Sequence, residues 1–172
     1  MKVNVKKLAV AAMMVAVGFG LSGFSFPVGA SKCFPIQHLV NVLTGVILGP
    51  WYAVASAFCI SLLRNLAGTG SLLAFPGSMI GAFCCGMIYR YTKKLAAAYA
   101  GEIIGTGIIG GIVCYPVATL LMGKEAAVFA YVLPFLVSTA GGTAIAAILL
   151  AALYKSGAMK YVNGILTGRT DR

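Results

Sequence analysis

The charges of this chain stand in clusters, and the intervals between the clusters decide what it can fold into. Between Lys7 and Lys32, Lys32 and Arg64, Arg64 and Arg90, Lys94 and Lys124, and Glu125 and Lys155, the charge-bearing candidates are His38 and Glu102 alone. Each interval exceeds the roughly 20 residues that a helix needs to cross a bilayer. Charged residues make up 9% of the chain, against about 25% in a soluble domain. That is too little polar side chain to coat a water-soluble globule. The sequence predicts an all-α membrane protein, a single integral membrane domain over residues 1–172 with a lipid bilayer around it.

The net charge of +10 raises nucleic acid as a partner, but the pattern excludes it. A nucleic-acid surface needs a contiguous basic face with stacking aromatics. Here the basic residues flank apolar runs, where they set topology and anchor headgroups.

Six spans are expected. The first, about Leu8 to Phe26, follows the basic start "MKVNVKK". Val28-Gly29-Ala30 resembles a signal-peptide cleavage site, but the apolar run is long for a signal core and more spans follow, so it reads as retained. The next interval holds "GP" at Gly49-Pro50; glycine ends helices and proline starts them. It therefore divides into two short spans, Ile36 to Leu48 and Trp51 to Leu63. The others are Leu72 to Tyr91, Leu95 to Met122 and Ala126 to Tyr154, followed by a short basic tail to residue 172.

With six spans both termini share one side. Lys2, Lys6, Lys7, Arg90, Lys93, Lys94, Lys155, Lys160, Arg169 and Arg172 fall there, and Lys32, Arg64 and Lys124 fall opposite. Ten against three is a positive-inside bias that makes both termini cytoplasmic. The 27–37, 64–71 and 123–126 connections then face outward.

Enzyme chemistry finds few players. The acids are Glu102, Glu125 and Asp171, none paired with another. "RNLAGTGS" (64–71) has no lysine and joins two apolar helices, so it is no phosphate loop. The five cysteines lack zinc-site spacing; four lie in apolar spans as small hydrophobes, and Cys33 lies in an outer loop where it could touch a ligand. No catalytic residue, metal or cofactor is expected. The 22 glycines include pairs four apart, Gly77 and Gly81, Gly101 and Gly105, Gly107 and Gly111, that let helices approach closely. Ala12, Ala16 and Gly20 form a similar stripe on the first span that could dock a partner.

The polar residues on the outer side converge. "SKCFPIQHLVN" brings Phe34, Gln37, His38 and Asn41, with Gln37 and Asn41 on one helix face. "RNLAGTGS" adds Arg64, Asn65, Thr69 and Ser71, while Phe75, Tyr115 and Tyr131 stand near the outer helix ends. Aromatic walls with a few polar groups describe a small-molecule pocket. Plainer readings exist for several of them: His38 as an interfacial residue, Arg64 as a headgroup anchor at a helix end, the tyrosines as an interface belt. Glu102 is an intramembrane acid, functional by default. Its expected place near the cytoplasmic end, within reach of Lys93 or Lys94, makes it a poor candidate for an outer ligand.

Three runs, "PVGASKCFPIQH" (27–38), "GVILGPWYAV" (45–54) and "SLLRNLAGTGSLLAFPGSMIGA" (61–82), resemble the substrate-binding S-components of energy-coupling-factor (ECF) vitamin transporters, most closely the ThiW family. The resemblance spans nearly the whole chain. It implies a six-helix bundle with cytoplasmic termini in a prokaryotic plasma membrane. It also implies a transmembrane coupling protein and two ATPase subunits as partners. Small residues of the first helix contact the coupling protein in that family, which carries over to Ala12 and Ala16. The substrate implied is hydroxyethylthiazole, the thiazole moiety of thiamine. Independently, a cation such as thiamine would want a carboxylate or several aromatics, and the one outer acid is Glu125 beside Lys124. A neutral heteroaromatic alcohol fits better, and Arg64 leaves an anionic one open. Another vitamin-like ligand, an autonomous small-solute facilitator and a purely structural subunit are the competing readings.

Overall fold

Proline and glycine set the helix ends. The structure, a computed structural model, describes residues 4–29, 31–125 and 127–167. Helix α1 (Val5–Gly20) starts at Asn4, whose side chain accepts hydrogen bonds from the backbone N–H of Lys6 and Lys7. Helices α2 (Pro35–Ile47) and α3 (Pro50–Leu66) each begin on a proline, and Gly49, at φ +95°, makes the corner between them. Then follow α4 (Ala74–Thr92), α5 (Leu95–Leu121), α6 (Val132–Lys155) and α7 (Ala158–Thr167).

The described residues thus hold seven helices where six were expected. The additional one, α7, occupies the region expected to be a basic tail. It is amphipathic: Met159 and Leu166 are buried, and Leu166 packs with Ala11 and Leu48. It ties the two chain ends together, since Asn4 Nδ2 donates to the Leu166 carbonyl at 3.1 Å and Lys6 Nζ to that of Ile165 at 3.1 Å. Lys2, Ala30, Ala126, Arg169 and Arg172 lie outside the described residues.

The first expected span is also shorter than read. Helix α1 stops at Gly20, and Phe26 instead opens a two-stranded antiparallel hairpin, β1 (Phe26–Val28) with β2 (Ser31–Cys33). Its register pairs Phe26 with Cys33 and Val28 with Ser31. The two-residue loop begins at Gly29, φ +54°, the left-handed conformation such tight turns demand. The sixth helix starts at Val132, not Ala126, with Pro134 inside its first turn, where the missing N–H costs nothing.

Helices α5 and α6 are long and apolar enough to cross a membrane by length and composition. The burial pattern inverts that of a soluble protein. Leu120, Ile148, Leu133 and Ile104 face outward, whereas Gln37, Asn41, Arg64 and Glu102 are buried. Lipid outside and polar function inside is the arrangement membrane proteins adopt.

Helices α4 and α5 meet backbone to backbone. A Cβ added at Gly110 would sit 2.6 Å from the Gly77 Cα, and one at Gly81 would sit 1.8 Å from the Thr106 hydroxyl. Only glycine permits this approach, as the small-residue spacing predicts. Helix α5 widens into π-helical turns over Ile103–Gly110 and Val117–Leu121, the second directly after Pro116, which cannot donate to the helix ladder. Gly110→Ala is expected to destabilise the bundle by about 1–3 kcal/mol, because the clash is with backbone and no rotamer relieves it. Gly23→Ala, whose added Cβ would meet nothing within 4 Å, is the control. Thermal unfolding in detergent measures both, and equal midpoints would refute the close-contact account.

Candidate functional site

The β1–β2 hairpin closes one end of the bundle. Cys33 is buried and its thiol donates to the Pro134 carbonyl at 3.1 Å. Burial raises the Cys33 pKa and a backbone hydrogen bond from Ser138 opposes the shift, so this thiol is an anchor and not a nucleophile. Next to it the Phe34 N–H donates to Ser138 Oγ at 2.7 Å. These two bonds fasten the hairpin to α6 and deliver Pro35 as the first residue of α2.

Helix α2 carries the polar core. Its 13 residues extend about 20 Å at 1.5 Å per residue, short of the roughly 30 Å hydrocarbon layer. Gln37, His38 and Asn41 therefore sit well inside the bundle. Gln37 Nε2 donates to Ser61 Oγ and Ser78 Oγ, both at 2.8 Å, and its Oε1 accepts from Arg64 Nη1. Asn41 Nδ2 lies 3.1 Å from the Ser78 carbonyl and 3.0 Å from Glu102 Oε1. Packing leaves no slack here, since a Cβ added at Gly142 of α6 would fall 2.7 Å from the His38 Cβ.

Glu102 corrects the sequence expectation. It pairs with neither Lys93 nor Lys94; its Oε1 stands 3.0 Å from His38 Nδ1 and 3.1 Å from Thr106 Oγ1, and the residue is fully buried. Seven residues into α5, Glu102 has risen about 10 Å from the helix start, to the depth that α2 reaches from the other end. The Nδ1–Oε1 contact fixes the orientation of the imidazole ring, and His38 lines the cavity above it.

Arg64 is also placed differently from expectation. It belongs to the last turn of α3 and not to an outer connection, because the N–H groups of Thr69 and Gly70 cap its carbonyl, each at 2.9 Å. Its side chain turns inward, is 1% exposed, and lies over the Phe34 ring with Cζ 3.4 Å from the centroid. It is not a headgroup anchor.

Two neighbouring cavities result. The inner one, of about 30 Å³, is bounded by Phe34, Gln37, His38, Arg64, Ser78 and Ser138. The outer one, of about 360 Å³, is bounded by the hairpin, the 68–71 loop and Lys124. Phe34, Ser71, Lys32 and Leu73 line both. The inner space holds a water or two; the outer is within the range of small-molecule sites.

Of the residues singled out in the sequence, Phe34, Gln37, His38, Arg64, Thr69 and Ser71 line these cavities. Asn41 lies beneath them in the network. Asn65 lines neither; its amide holds the loop by donating to the carbonyls of Ser61 at 2.8 Å and Ser71 at 3.0 Å. Phe75 stacks obliquely with Phe58 at 5.5 Å between centroids. Tyr131 is buried in an apolar cluster with Leu73, Cys114, Ala118 and Phe135, and Tyr115 gives only its carbonyl, to Thr119. Ser78, Ser138 and Phe135 line the inner cavity as well. Helical spacing alone does not tell which serine of an apolar run points inward.

A polar cavity inside an apolar helical shell, capped by a hairpin, defines a membrane-embedded binding protein. The fold is that of the S component of a bacterial ECF transporter, whose solved structure superimposes with a TM-score of 0.75 at 20% identity, covering 89% of this chain and 98% of that one. The sequence matches the family described as thiamine-precursor transporter protein (ThiW) over residues 8–156, and the chain belongs to that family. No curated protein matches it.

Removing the carboxylate tests the network. Glu102→Ala is expected to destabilise by about 1–3 kcal/mol or more, the range for leaving buried hydrogen-bonding partners unmet. Glu102→Gln, which keeps an acceptor oxygen, is expected to cost less. Thermal unfolding of both variants in detergent checks this, and an Ala variant as stable as wild type would show that the pair does not hold the helices.

Proposed function

We propose that this chain is the substrate-binding subunit of an ECF-type importer and captures a thiamine precursor, hydroxyethylthiazole, from the outer side of a prokaryotic plasma membrane. The observation that carries this reading is the buried Gln37–Ser78–Asn41–Glu102–His38 network beneath a cavity closed by the hairpin. An apolar bundle does not bury so many polar groups for stability alone. Phe34, which lines both cavities, supplies a ring to stack on, and Gln37 and His38 of the inner cavity supply hydrogen bonds for a side-chain hydroxyl reaching inward. Thiamine, a cation, is disfavoured because Arg64, Lys32 and Lys124 line the cavities.

Topology and partners follow from the same reading. The end of the bundle with the chain termini carries Lys6, Lys7, Arg90, Lys93, Lys94, Lys155 and Lys160, which supports a cytoplasmic placement. Helices α1 to α6 form the membrane bundle, the short α2 reaching only part of the way through, and α7 lies along its cytoplasmic face. The Ala12–Ala16–Gly20 stripe of α1 is exposed, and a Cβ at Gly20 would meet nothing within 4 Å. It docks the transmembrane coupling protein, and two ATPase subunits drive transport.

Calorimetry on the protein in nanodiscs tests the substrate, with hydroxyethylthiazole, thiamine, hydroxymethylpyrimidine and riboflavin as the panel. Selective binding of the thiazole is expected, weakened about ten-fold or more by Gln37→Ala, the loss of a hydrogen bond to a buried polar group. Tight binding of another panel member would remove the thiazole assignment. For docking, Ala12→Leu with Ala16→Leu is expected to retain ligand binding and abolish uptake in cells that hold the partners. Uptake by this chain alone, without ATPases, would overturn the importer reading.

A further inference from the structure

Arg64 is a buried cation without a counter-charge. Its Nη1 donates to Gln37, yet Nε and Nη2 have no hydrogen-bond partner, and no carboxylate among the described residues lies within ion-pair distance of it. The guanidinium carbon lies 3.4 Å from the Phe34 ring centroid, a contact that supplies no acceptor for Nε or Nη2. The capped end of α3 offers it little, because the Arg64 carbonyl already accepts two N–H groups. A buried charge in this condition is costly unless something completes it.

The surroundings supply no completion from the protein. The ionisable side chains lining the two cavities are His38, Arg64, Lys32 and Lys124, with no carboxylate among them. Glu102 lies deeper, its Oε1 engaged by His38, Asn41 and Thr106 and its Oε2 buried without a partner, and it makes no ion pair with Arg64. The site therefore presents positive charge toward its mouth, and Arg64 carries the two free donors of a planar fork that suits carboxylate and phosphate oxygens.

We infer that, beside the neutral alcohol, this site accepts and holds more tightly its anionic counterparts, small heteroaromatic compounds bearing a carboxylate or a phosphate monoester, whose oxygens meet the unpartnered Nε and Nη2 of Arg64. The neutral alcohol would leave one of the two donors idle, and the anion would engage both. This rests on the reading of the cavity as the substrate site. The inner space is too small for a substituted thiazole ring, so the ring enters the outer cavity and the anionic group reaches inward to Arg64.

The experiment is competition binding to the whole protein in nanodiscs of zwitterionic lipid. The ligands are hydroxyethylthiazole, its phosphate ester, the thiazole in which a carboxymethyl group replaces the hydroxyethyl, and inorganic phosphate. At least one anionic thiazole is expected to bind about ten-fold or more tightly than the alcohol, as charge-assisted bonds exceed neutral ones. The ratio should fall toward one in Arg64→Gln and be partly restored in Arg64→Lys. If Arg64→Gln does not fold, the wild-type ratio decides. An alcohol that binds as tightly as both anions overturns the anion assignment and leaves the thiazole reading standing. Binding of inorganic phosphate with no thiazole bound, or loss of thiazole phosphate binding when anionic lipid is added, assigns Arg64 to free phosphate or headgroups and overturns it. Absence of binding by every thiazole overturns the substrate reading itself.

Discussion

Glu102 is a fully buried acid, and the inner half of the bundle is arranged around that fact. A carboxylate cannot be left bare in a low-dielectric interior. Three side chains from two helices converge on one of its oxygens: His38 and Asn41 from α2 and Thr106 from α5. Asn41 in turn engages Ser78 of α4, and Ser78 accepts from Gln37. Each residue's orientation is set by the next, so the geometry of the cavity floor follows from the bonds gathered on one carboxyl oxygen, while Oε2 stays without a partner. The same chain of bonds stops at Arg64, where the donors outnumber the acceptors.

That network is possible only because the helices come unusually close. Thr106 can reach back to Glu102 while facing α4 because Gly81 offers no side chain in between. The π-helical stretch beginning at Ile103 lets α5 keep that contact as it passes Gly77. Glycine weakens a helix in water by about 1 kcal/mol relative to alanine, yet here it admits backbone contact that alanine would forbid. The local cost is repaid in packing between helices, the usual balance where lipid supplies no hydrophobic drive for association.

Much of this was legible in the sequence, and the limits have physical causes. The charge intervals give the spans, Gly49-Pro50 gives the break between α2 and α3, and the 27–38 and 64–71 segments give most of the cavity walls. The hairpin was not legible because its strands are three residues each, too short for alternation to register, and its apolar start reads as a continuation of α1. Helix α7 was hidden by lysines that mark a tail as readily as an amphipathic surface. Glu102 was misplaced because depth was judged along α5 alone. Its partners come from a half-length helix entering from the opposite end, and that is a property of the fold and not of any window of sequence. Asn65 shows the reverse error: a polar residue beside the site, spent on holding the loop that positions Arg64.

The separation of Arg64 from Glu102 gives the site its polarity. Had the two paired directly, the bundle would contain a neutral ion pair and the cavity would carry little field. Instead Gln37, Ser78 and Asn41 stand between them, so the cation is held toward the mouth and the acid toward the floor. Amide and hydroxyl dipoles along that chain stabilise both charges without cancelling them. A ligand entering from the hairpin end meets positive charge first and hydrogen-bonding groups oriented by a buried carboxylate beyond it. Lipid around the bundle keeps water from screening that charge, which is why so few polar residues in so apolar a chain suffice to define a site.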